Sequence, residues 1–378
     1  MGKKADTPLV SIITLNYNGK RFLKDLLDSL RRCTYPNLEI ILVDNCSTDD
    51  SVAFVQAHYP EVKVHQNAEN YLYAGGNNEG LKIAAGEYLC LLNNDVTVDP
   101  GFVEPLVEMF RRYPRMAAGQ PKILAMADPG QLEYAGACGG FLDWFGYPFL
   151  RGRIMDTTEA DRGQYDQPLK IFWGSGACLF LRRDALRETG LLDADFGLHM
   201  EEIDLCWRFH LQGWEVLSIP QSRIWHFGGG TLNQTSPRKM YWNFRNNIFL
   251  LIKNLSGINL IIRLPLRVLL DAVALVVELL KGQVAGSGAI LRAYGWVLTH
   301  LPLIFRHRRE VQQKRTVSDR DVARCIYPGS VVFEYFLLQR KTFSRLGRIG
   351  KLLARAGLNP LPATPEVATK KAVDELMG

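Results

Sequence analysis

Apolar and polar positions follow two alternating periods along the first hundred residues. Unbroken apolar runs, typical of buried parallel strands, lie at 10–15, 38–44, 62–66 and 88–95. Between these runs, apolar residues recur every three or four positions. This spacing predicts a helix after Gly19, a second from Ser47 as its N-cap, and a third over 76–85, closed by Gly86. Strands that alternate with helices favour an α/β fold with a mostly parallel sheet covered on both faces.

Polar side chains follow three of these predicted strands, at the end where open α/β sheets bind ligands: Asn16, Asp44 and Asp95. Residues 130–170 are rich in Gly and aromatics and predict an excursion over the sheet. The pattern then predicts a strand over 171–183, a helix over 198–214, a further strand and a Gly-rich loop at 227–230.

The pattern changes near Pro237, where long apolar stretches carry isolated charges. At ~100° per residue, five charged side chains of 258–281 fall on one narrow helical stripe: Arg263, Arg267, Asp271, Glu278 and Lys281. If this segment spanned a membrane, the free-energy cost of burying its charges would exceed the free energy gained from its apolar residues. We therefore expect a helix that lies in a membrane interface, or one that packs on another apolar helix.

Two further segments carry basic residues beside apolar ones. Residues 288–305 place Tyr294 and Trp296 before the basic run 306–309, and 340–355 predicts a helix with one basic face. We predict membrane-surface association, and the alternative is that these helices pack on each other as a soluble cap. The expected division of the chain is a catalytic domain over 1–235, a helical membrane-associating region over 236–310 and a basic helical tail over 311–378.

Charge strengthens this division. Residues 1–235 hold 22 Lys and Arg against 30 Asp and Glu, a net of −8, and residues 236–378 hold 23 against 9, a net of +14. The basic half predicts an anionic partner. The seven cysteines contain no CxxC pair, which argues against a zinc site or a disulfide framework and for a reducing compartment.

Four motifs now become recognisable together: SIITLNYNG, LEIILVDNCSTDDS, ENYLYAGGNNEG and GEYLCLLNNDVTVDP. With WGSGACLFLRRDAL, LHMEEIDLCWR, IWHFGGG and YWNFRNN, they resemble the inverting family-2 glycosyltransferases of the GT-A fold, and bacterial rhamnosyltransferase-like members in particular. The resemblance covers about residues 8–255. It implies that a nucleotide-sugar donor is bound by Thr14, Asn16, Tyr17, Asp44, Asn70, Gly75, Gly76, Asn77, Asn94, Trp173 and Gly174.

Several of these residues also have a purely structural interpretation. Asp44 is suited to accept a hydrogen bond from a pyrimidine N3–H, but it could instead cap the following helix. The glycines of 74–78 would expose backbone N–H groups to a diphosphate, or serve only a turn. Trp173 and Gly174 resemble a wall between donor sugar and acceptor, or a packed strand end. Arg245 and Asn246 match a family pair for which the sequence suggests no role.

The segment Asn93, Asn94 and Asp95 occupies the place of the family's DxD motif. The resemblance implies a divalent cation, Mg²⁺ or Mn²⁺, on the donor diphosphate. Only Asp95 is a formal anion here, and His226 matches a position that can add a ligand or serve the structure.

Glu201, Glu202 and Asp204 match the family's Glu-Asp-x-Asp. The resemblance assigns the general base to Glu202, with Asp204 as the alternative, in a single displacement that inverts the anomeric carbon.

The resemblance implies transfer of a sugar, with dTDP-rhamnose as the first choice of donor, to a lipid-linked or growing bacterial surface glycan. We expect peripheral attachment to the cytoplasmic side of the inner membrane. One alternative is a membrane-embedded processive polysaccharide synthase, although its QxxRW motif has only an imperfect counterpart at 221–225. Another is a nucleic-acid-binding protein using the basic half, but no known nucleic-acid-binding pattern is present, and we expect no nucleic-acid partner.

Overall fold

The structure is a computed structural model that describes residues 7–228 and 236–355. Part of the predicted Gly-rich loop and the end of the predicted basic tail lie outside the described residues. The strands are β1 Val10–Asn16, β2 Leu38–Asp44, β3 Lys63–Gln66, β4 Tyr88–Asn93, β5 Val96–Val98, β6 Met116–Ala125, β7 Gly140–Asp143, β8 Pro148–Leu150, β9 Arg153–Ile154, β10 Thr157–Thr158, β11 Leu169–Ile171, β12 Cys178–Arg182, β13 Glu215–His226 and β14 Ile326–Tyr327.

Helices follow or cover these strands along the whole described chain. They are α1 Lys20–Arg31, α2 Ser51–His58, α3 Leu72–Ile83, α4 Glu104–Arg112, α5 Arg183–Thr189, α6 Glu201–Leu211, α7 Pro237–Asn254, α8 Gly257–Leu280, α9 Val284–Thr299, α10 Leu301–Gln313, α11 Asp319–Val322, α12 Val331–Phe336 and α13 Ile349–Arg355.

The large sheet has the order β11-β13-β6-β12-β4-β1-β2-β3, and β5 pairs with β13. The predicted α/β class is confirmed, but the sheet is mixed rather than mostly parallel. Strand β12 runs antiparallel between β4 and β6, and β13 is antiparallel to both β5 and β11. The N-terminal half β4-β1-β2-β3 is parallel, as predicted.

Strand register sets the site because it places polar strand ends side by side. In the parallel ladder Asn16 lies opposite Asp44, and Leu15 lies opposite Asn93. Helix α1 buries Leu23, Leu26, Leu27 and Leu30 against one face of this sheet. The strand ends are thereby fixed by a packed core, and their polar side chains share one edge.

Four predicted boundaries are wrong, each for a local reason. Ser47 does not cap a helix, because the Asp44 carboxylate closes a turn on the Ser47 N–H and α2 begins at Ser51. Helix α3 begins at Leu72, so the glycines predicted to open it lie inside it. The predicted strand over 171–183 is interrupted after Ile171 and resumes at Cys178. The predicted helix over 340–355 is a 3₁₀ turn followed by the short α13.

The predicted excursion over 130–170 forms a second, five-stranded sheet with the order β10-β9-β8-β7-β14. Strand β14 belongs to the predicted basic tail and pairs in parallel with β7, with Ile326 opposite Leu142. The division of the chain at 235 and 310 stays a prediction, but part of the tail is thus hydrogen-bonded to the N-terminal half.

The charged stripe of α8 faces the protein. Arg263, Arg267 and Asp271 are buried, and Asp271 accepts hydrogen bonds from Arg267 Nε at 2.9 Å, Tyr294 at 2.7 Å and Tyr147 at 3.1 Å. Three of the five residues of the predicted stripe are therefore buried, whereas Lys281 follows the end of α8 and is exposed, and the apolar side of α8 points outward.

None of the helices within 7–228 and 236–355 has, by itself, the length and apolar composition of a membrane span. Helices α9 and α10, bent by 69° at their junction, meet those criteria only when taken together.

Candidate active site

The first cluster of polar side chains lies at the ends of β1 and β2. Asn16 Nδ2 donates to Asp44 Oδ1 at 3.2 Å, and Asn94 Nδ2 donates to Asn16 Oδ1 at 2.9 Å. Asp44 Oδ2 accepts from the Ser47 N–H at 3.0 Å. A Cβ at Gly19 would lie 2.2 Å from Asn94 Nδ2, so this close approach requires glycine. The structure therefore brings Asn16, Asp44 and Asn94 together, as predicted.

Tyr17 and Thr14, predicted beside the base and ribose, are placed very differently. The Tyr17 ring is 52% exposed at the rim of this cluster and is free to stack on a planar ligand. Thr14 is 1% exposed, inside β1 and between β2 and β4. The neighbouring strands cover its side chain, whose hydroxyl has no hydrogen-bond partner, and its donor contact stays a prediction.

The start of α3 is built by a side chain that the sequence analysis missed. Buried Asn45 donates to Asn70 Oδ1 at 2.7 Å and accepts from the Tyr71 N–H at 3.1 Å, while Asn70 accepts the Leu72 N–H at 2.9 Å. Asn70 thus shapes the loop that borders the strand ends. In the sequence, only two signals could have indicated this role of Asn45. They are its position next to Asp44 and the turn-forming sequence Asn-Cys-Ser.

Gly75, Gly76 and Asn77 do not form an anion-binding turn. They lie within α3, and the Asn77 side chain is 2% exposed and donates to the Tyr73 carbonyl at 3.0 Å. A Cβ at Gly76 would lie 2.5 Å from the Leu15 side chain. Gly76 therefore lets α3 pack closely on β1, and the role of these glycines at a diphosphate stays a prediction.

A second cluster surrounds Asp95, just after β4. His226 Nε2 lies 3.1 Å from Asp95 Oδ1, and His226 Nδ1 lies 3.3 Å from Glu133 Oε1 as an ion-pair contact. Burial opposes protonation of the imidazole, but its two carboxylate neighbours raise the pKa of His226 to about 10. Glu133 was not predicted, and it comes from the excursion that no motif marks.

This cluster fits the predicted cation. Asp95 and His226 lie close together, and Glu133 stands on the far side of the ring, where a carboxylate fixes the tautomer of a metal-binding histidine. Oxygen and imidazole ligands suit Mn²⁺, and the single carboxylate of Asp95 leaves ligand positions for phosphate oxygens. Asp95 and His226 are the residues that would hold the cation.

The third cluster opens α6. Glu201 and Glu202 lie in its first turn, and one oxygen of each carboxylate is buried without a hydrogen-bond partner. Burial raises the pKa of Glu202 to about 7, although backbone N–H groups of the first turn act against it. A carboxylate with a pKa near neutrality is suited to accept a proton from a substrate hydroxyl.

Asp204 has the opposite environment. It is fully buried, with Arg208 Nε at 2.7 Å, Lys253 Nζ at 2.8 Å and Asn254 Nδ2 at 2.9 Å. Against the effect of burial, Lys253 and Arg208 lower the pKa of Asp204 to about 2. Because cations and an amide hold its oxygens, this environment favours Glu202 over Asp204, and the assignment of the base stays a prediction.

We expect Asp204→Asn to lower the free energy of unfolding by about 3 kcal/mol at pH 7, because it leaves buried cations without their counter-ion. Since the folded pKa is lowered, this stabilisation is present above about pH 4 and is lost as the pH falls towards 2. Urea unfolding at several pH values measures it. The control Asp184→Asn breaks an exposed pair with Arg187 and should change stability little; equal effects of the two substitutions would contradict the buried role.

The segment before α6 has a strained backbone, and the α7 residues Arg245 and Asn246 hold it in place. His199 and Met200 have φ values of 69° and 72°, in the left-handed region. Asn246 Nδ2 donates to the carbonyls of Phe196, Leu198 and His199 at 2.7–2.9 Å. The pair Arg245 and Asn246, for which the sequence suggested no role, thus positions the start of the helix that carries Glu202.

Trp173 and Gly174 are packed inside the protein. The Trp173 indole N–H donates to the Phe141 carbonyl at 3.0 Å, and the side chain is 4% exposed. A Cβ at Gly174 would lie 2.6 Å from Leu179. This burial favours the interpretation as a packed strand end, and their contact with the donor sugar stays a prediction.

Tyr73 joins the second and third clusters. Its hydroxyl donates to the Gly176 carbonyl at 2.7 Å, and the next carbonyl, of Ala177, accepts the Asn93 N–H at 3.0 Å. Burial and the nearby carboxylates of Glu201 and Glu202 raise the pKa of Tyr73 well above its usual value. The Glu202 region and the Asn93–Asp95 turn are therefore neighbours across one short connection.

Asp193, Asp195 and His307 form another group whose ligand atoms lie within 4.8 Å of one another. His307 contacts the two carboxylates at 3.2 and 2.8 Å, and Lys253 also binds Asp193. Two cationic side chains already balance the two carboxylates, so ion pairing accounts for this group.

Residues 11–190 match the sequence profile of the family described as Glycosyl transferase family 2. These residues are a family-2 glycosyltransferase domain. The solved structure of GalNAc-T7 with UDP, GalNAc and Mn²⁺ is similar to the chain, with a TM-score of 0.52 and 18% sequence identity, over 66% of this chain and 48% of that one. This likeness confirms the GT-A fold that the family-2 motifs predicted.

Two relatives align with more than half of the chain. The O-antigen biosynthesis protein RfbC of Myxococcus xanthus is 30% identical over 244 residues, which are 62% of this chain and 19% of that protein. The N-acetylglucosaminyl-diphospho-decaprenol L-rhamnosyltransferase of Mycobacterium tuberculosis (strain ATCC 25618 / H37Rv) is 27% identical over 238 residues, 58% of this chain and 76% of that protein. The match thus spans less than a fifth of the first relative.

Proposed function

We propose that the chain is an inverting glycosyltransferase that moves a sugar from a nucleotide-diphosphate donor onto a bacterial cell-surface glycan. One observation carries this proposal. The ends of β1, β2 and β4 gather Asn16, Asp44 and Asp95 at one sheet edge, and the Tyr73 connection brings Glu202, with its raised pKa, next to that edge.

The reaction is a single displacement. An acceptor hydroxyl oxygen attacks the anomeric carbon, the bond from that carbon to the diphosphate oxygen breaks, and the leaving nucleoside diphosphate keeps the electron pair. Glu202 takes the hydroxyl proton, which its raised pKa suits at neutral pH. A divalent cation held by Asp95 and His226 would supply positive charge to the departing diphosphate. Tyr17 and Asp44 would bind the base and ribose.

The mycobacterial relative supports a proposal for the donor and the acceptor. Because the mycobacterial relative is a rhamnosyltransferase acting on a diphospho-decaprenol acceptor, we propose dTDP-rhamnose as donor and a polyprenyl-diphosphate-linked glycan as acceptor. An acceptor of this kind resides in a membrane, which supports peripheral action at the cytoplasmic face of the cell membrane.

Nucleotide binding is tested by thermal unfolding with nucleoside diphosphates, each with and without Mn²⁺. We expect dTDP and UDP with Mn²⁺ to stabilise the chain by about 3 kcal/mol at a hundredfold excess over the dissociation constant, and ADP to stabilise it less. Asp44→Asn should weaken the preference for pyrimidines, because the amide has one acceptor oxygen where the carboxylate has two, and Asn16 Nδ2 and the Ser47 N–H compete for it. The matched control Asp25→Asn, exposed on α1, should retain it. If no nucleoside diphosphate raises the unfolding temperature, the proposed function fails.

A further inference from the structure

The outer face of α8 is entirely apolar. Fourteen positions of this helix are exposed, and none carries a charged or hydrogen-bonding side chain. Ile261 is 71% exposed, Leu269 62% and Leu280 83%. At ~100° per residue, the large exposed side chains cover about half of the helix circumference, opposite the charged stripe. They are Ile258, Ile261, Ile262, Leu266, Val268, Leu269, Val273, Val276, Val277, Leu279 and Leu280.

Buried hydrogen bonds fix this orientation. Arg267 and Asp271 pair with each other, Asp271 accepts from Tyr147 and Tyr294, and Arg267 also binds Asn247 of α7. Rotating α8 to hide its apolar face would break this network and leave buried charges unpaired. The apolar face is therefore a stable outer surface of the folded chain.

Apolar exposure continues beyond α8. On α9, Val284, Leu291 and Leu298 recur every seven residues and are 59–72% exposed, and α8 and α9 pack on each other. A continuous apolar surface of this size is unusual for a protein surrounded only by water and marks a site of interaction.

A basic cavity adjoins the same helix. Trp144 packs under Arg263 of α8, with 5.4 Å from the guanidinium carbon to the ring centroid. The same Trp144 lines a cavity of about 700 Å³ together with Phe333, Arg340, Arg348 and Arg355. Arg340 is paired with Glu334, whereas Arg348 and Arg355 are exposed. Arginines beside an apolar surface match the phosphates of an anionic lipid headgroup layer.

We propose that the outer face of α8 inserts into one leaflet of an anionic lipid bilayer, with the arginines of the neighbouring cavity at the headgroups. Three observations favour a bilayer over a second copy of the chain. The exposed positions of α8 carry no charged or hydrogen-bonding side chain, the adjacent cavity is basic, and the proposed acceptor is lipid-linked. This inference rests on the proposed function only for that last point.

The test is sedimentation of the full chain with vesicles of phosphatidylcholine, alone or with about 30 mol% phosphatidylglycerol. We expect binding to both, and tighter binding to the anionic vesicles. The double variant Ile261→Glu/Leu269→Glu should lower vesicle partitioning about tenfold or more, because it places charges in the inserted face. The control Ile83→Glu alters an apolar side chain that is 46% exposed on α3, and should bind as the wild type does.

A second variant separates the apolar and electrostatic parts. Arg348→Glu/Arg355→Glu changes the two exposed arginines of the cavity and should abolish the preference for phosphatidylglycerol while leaving binding to phosphatidylcholine. Unchanged sedimentation of Ile261→Glu/Leu269→Glu would overturn the proposal. If the wild type binds no vesicles but forms a dimer that this variant dissociates, the face contacts a second copy of the chain. If the wild type neither dimerises nor binds vesicles, the proposal is overturned and the face belongs to a contact within the chain itself.

Nucleotide binding, measured on the same preparations, distinguishes this inference from the proposed function. Normal dTDP binding without vesicle binding would reject the bilayer alone. Vesicle binding without nucleotide binding would reject the proposed transferase.

Discussion

Glu202→Gln is expected to slow sugar transfer on the order of 10²–10⁴-fold at saturating donor and acceptor. Gln keeps the shape and the hydrogen bonds of the side chain but cannot take the acceptor proton. Donor affinity should be unchanged, because Glu202 lies at the start of α6 and not among the strand ends. The measurement is the steady-state transfer rate beside the dTDP dissociation constant. The matched control Glu108→Gln, exposed on α4, should transfer at the wild-type rate.

The pH dependence gives this prediction a second readout. Because burial raises the pKa of Glu202 to about 7, the wild-type rate should rise with pH through about 7 and then level off. A raised folded pKa also means that this carboxyl costs stability as the pH rises from about 4.5 through 7. Glu202→Gln should therefore unfold at or above the wild-type temperature at pH 8. A variant that transfers normally would show that another group is the base.

Asp95→Asn is expected to reduce transfer on the order of 10³-fold, the second largest effect, through loss of the one carboxylate in the turn after β4. Its contact with His226 would weaken as well, and the raised pKa of His226 should fall. The pKa of His226, followed by NMR, checks this without turnover. Asn93→Ala should cost less, because the Asn93 side chain contributes only a long 3.4 Å contact to His226.

Metal dependence separates two outcomes for the Asp95 variant. We expect wild-type transfer to be abolished by a chelator and restored by Mn²⁺ or Mg²⁺, and Asp95→Asn to need far more cation. Full activity of Asp95→Asn in the presence of chelator would overturn the role assigned to Asp95.

The parallel half of the sheet could be predicted because its signals are local. Unbroken apolar runs predicted β1, β2 and β4. Asn16 and Asp44 could be recognised because each is the polar residue at the end of such a run. The start of α3 could not be predicted, because it depends on Asn45, whose side-chain partners lie 22 residues away or more. The antiparallel direction of β12 could not be predicted either, because an apolar strand has the same sequence pattern in a parallel or an antiparallel ladder.

The assignment of the base shows the same limit. Glu202 and Asp204 are two residues apart and alike in sequence, yet their pKa values move in opposite directions. The cause is Lys253 and Asn254, about fifty residues later, which reach Asp204 and not Glu202. For α8 the stripe of charges followed from helical periodicity, but its inward orientation depended on Tyr147, Asn247 and Tyr294.

The central claim is that this site transfers a sugar to an acceptor with Glu202 as the base. The most direct test measures nucleoside diphosphate release from dTDP-rhamnose, UDP-GlcNAc and GDP-mannose, with and without a polyprenyl-diphosphate-linked acceptor, for the wild type and for Glu202→Gln. We expect nucleoside diphosphate to be released from one of these donors, and only when the acceptor is present. Glu202→Gln should abolish this release while leaving nucleotide binding intact. Release that ignores the acceptor, or that persists in Glu202→Gln at the wild-type rate, would contradict it.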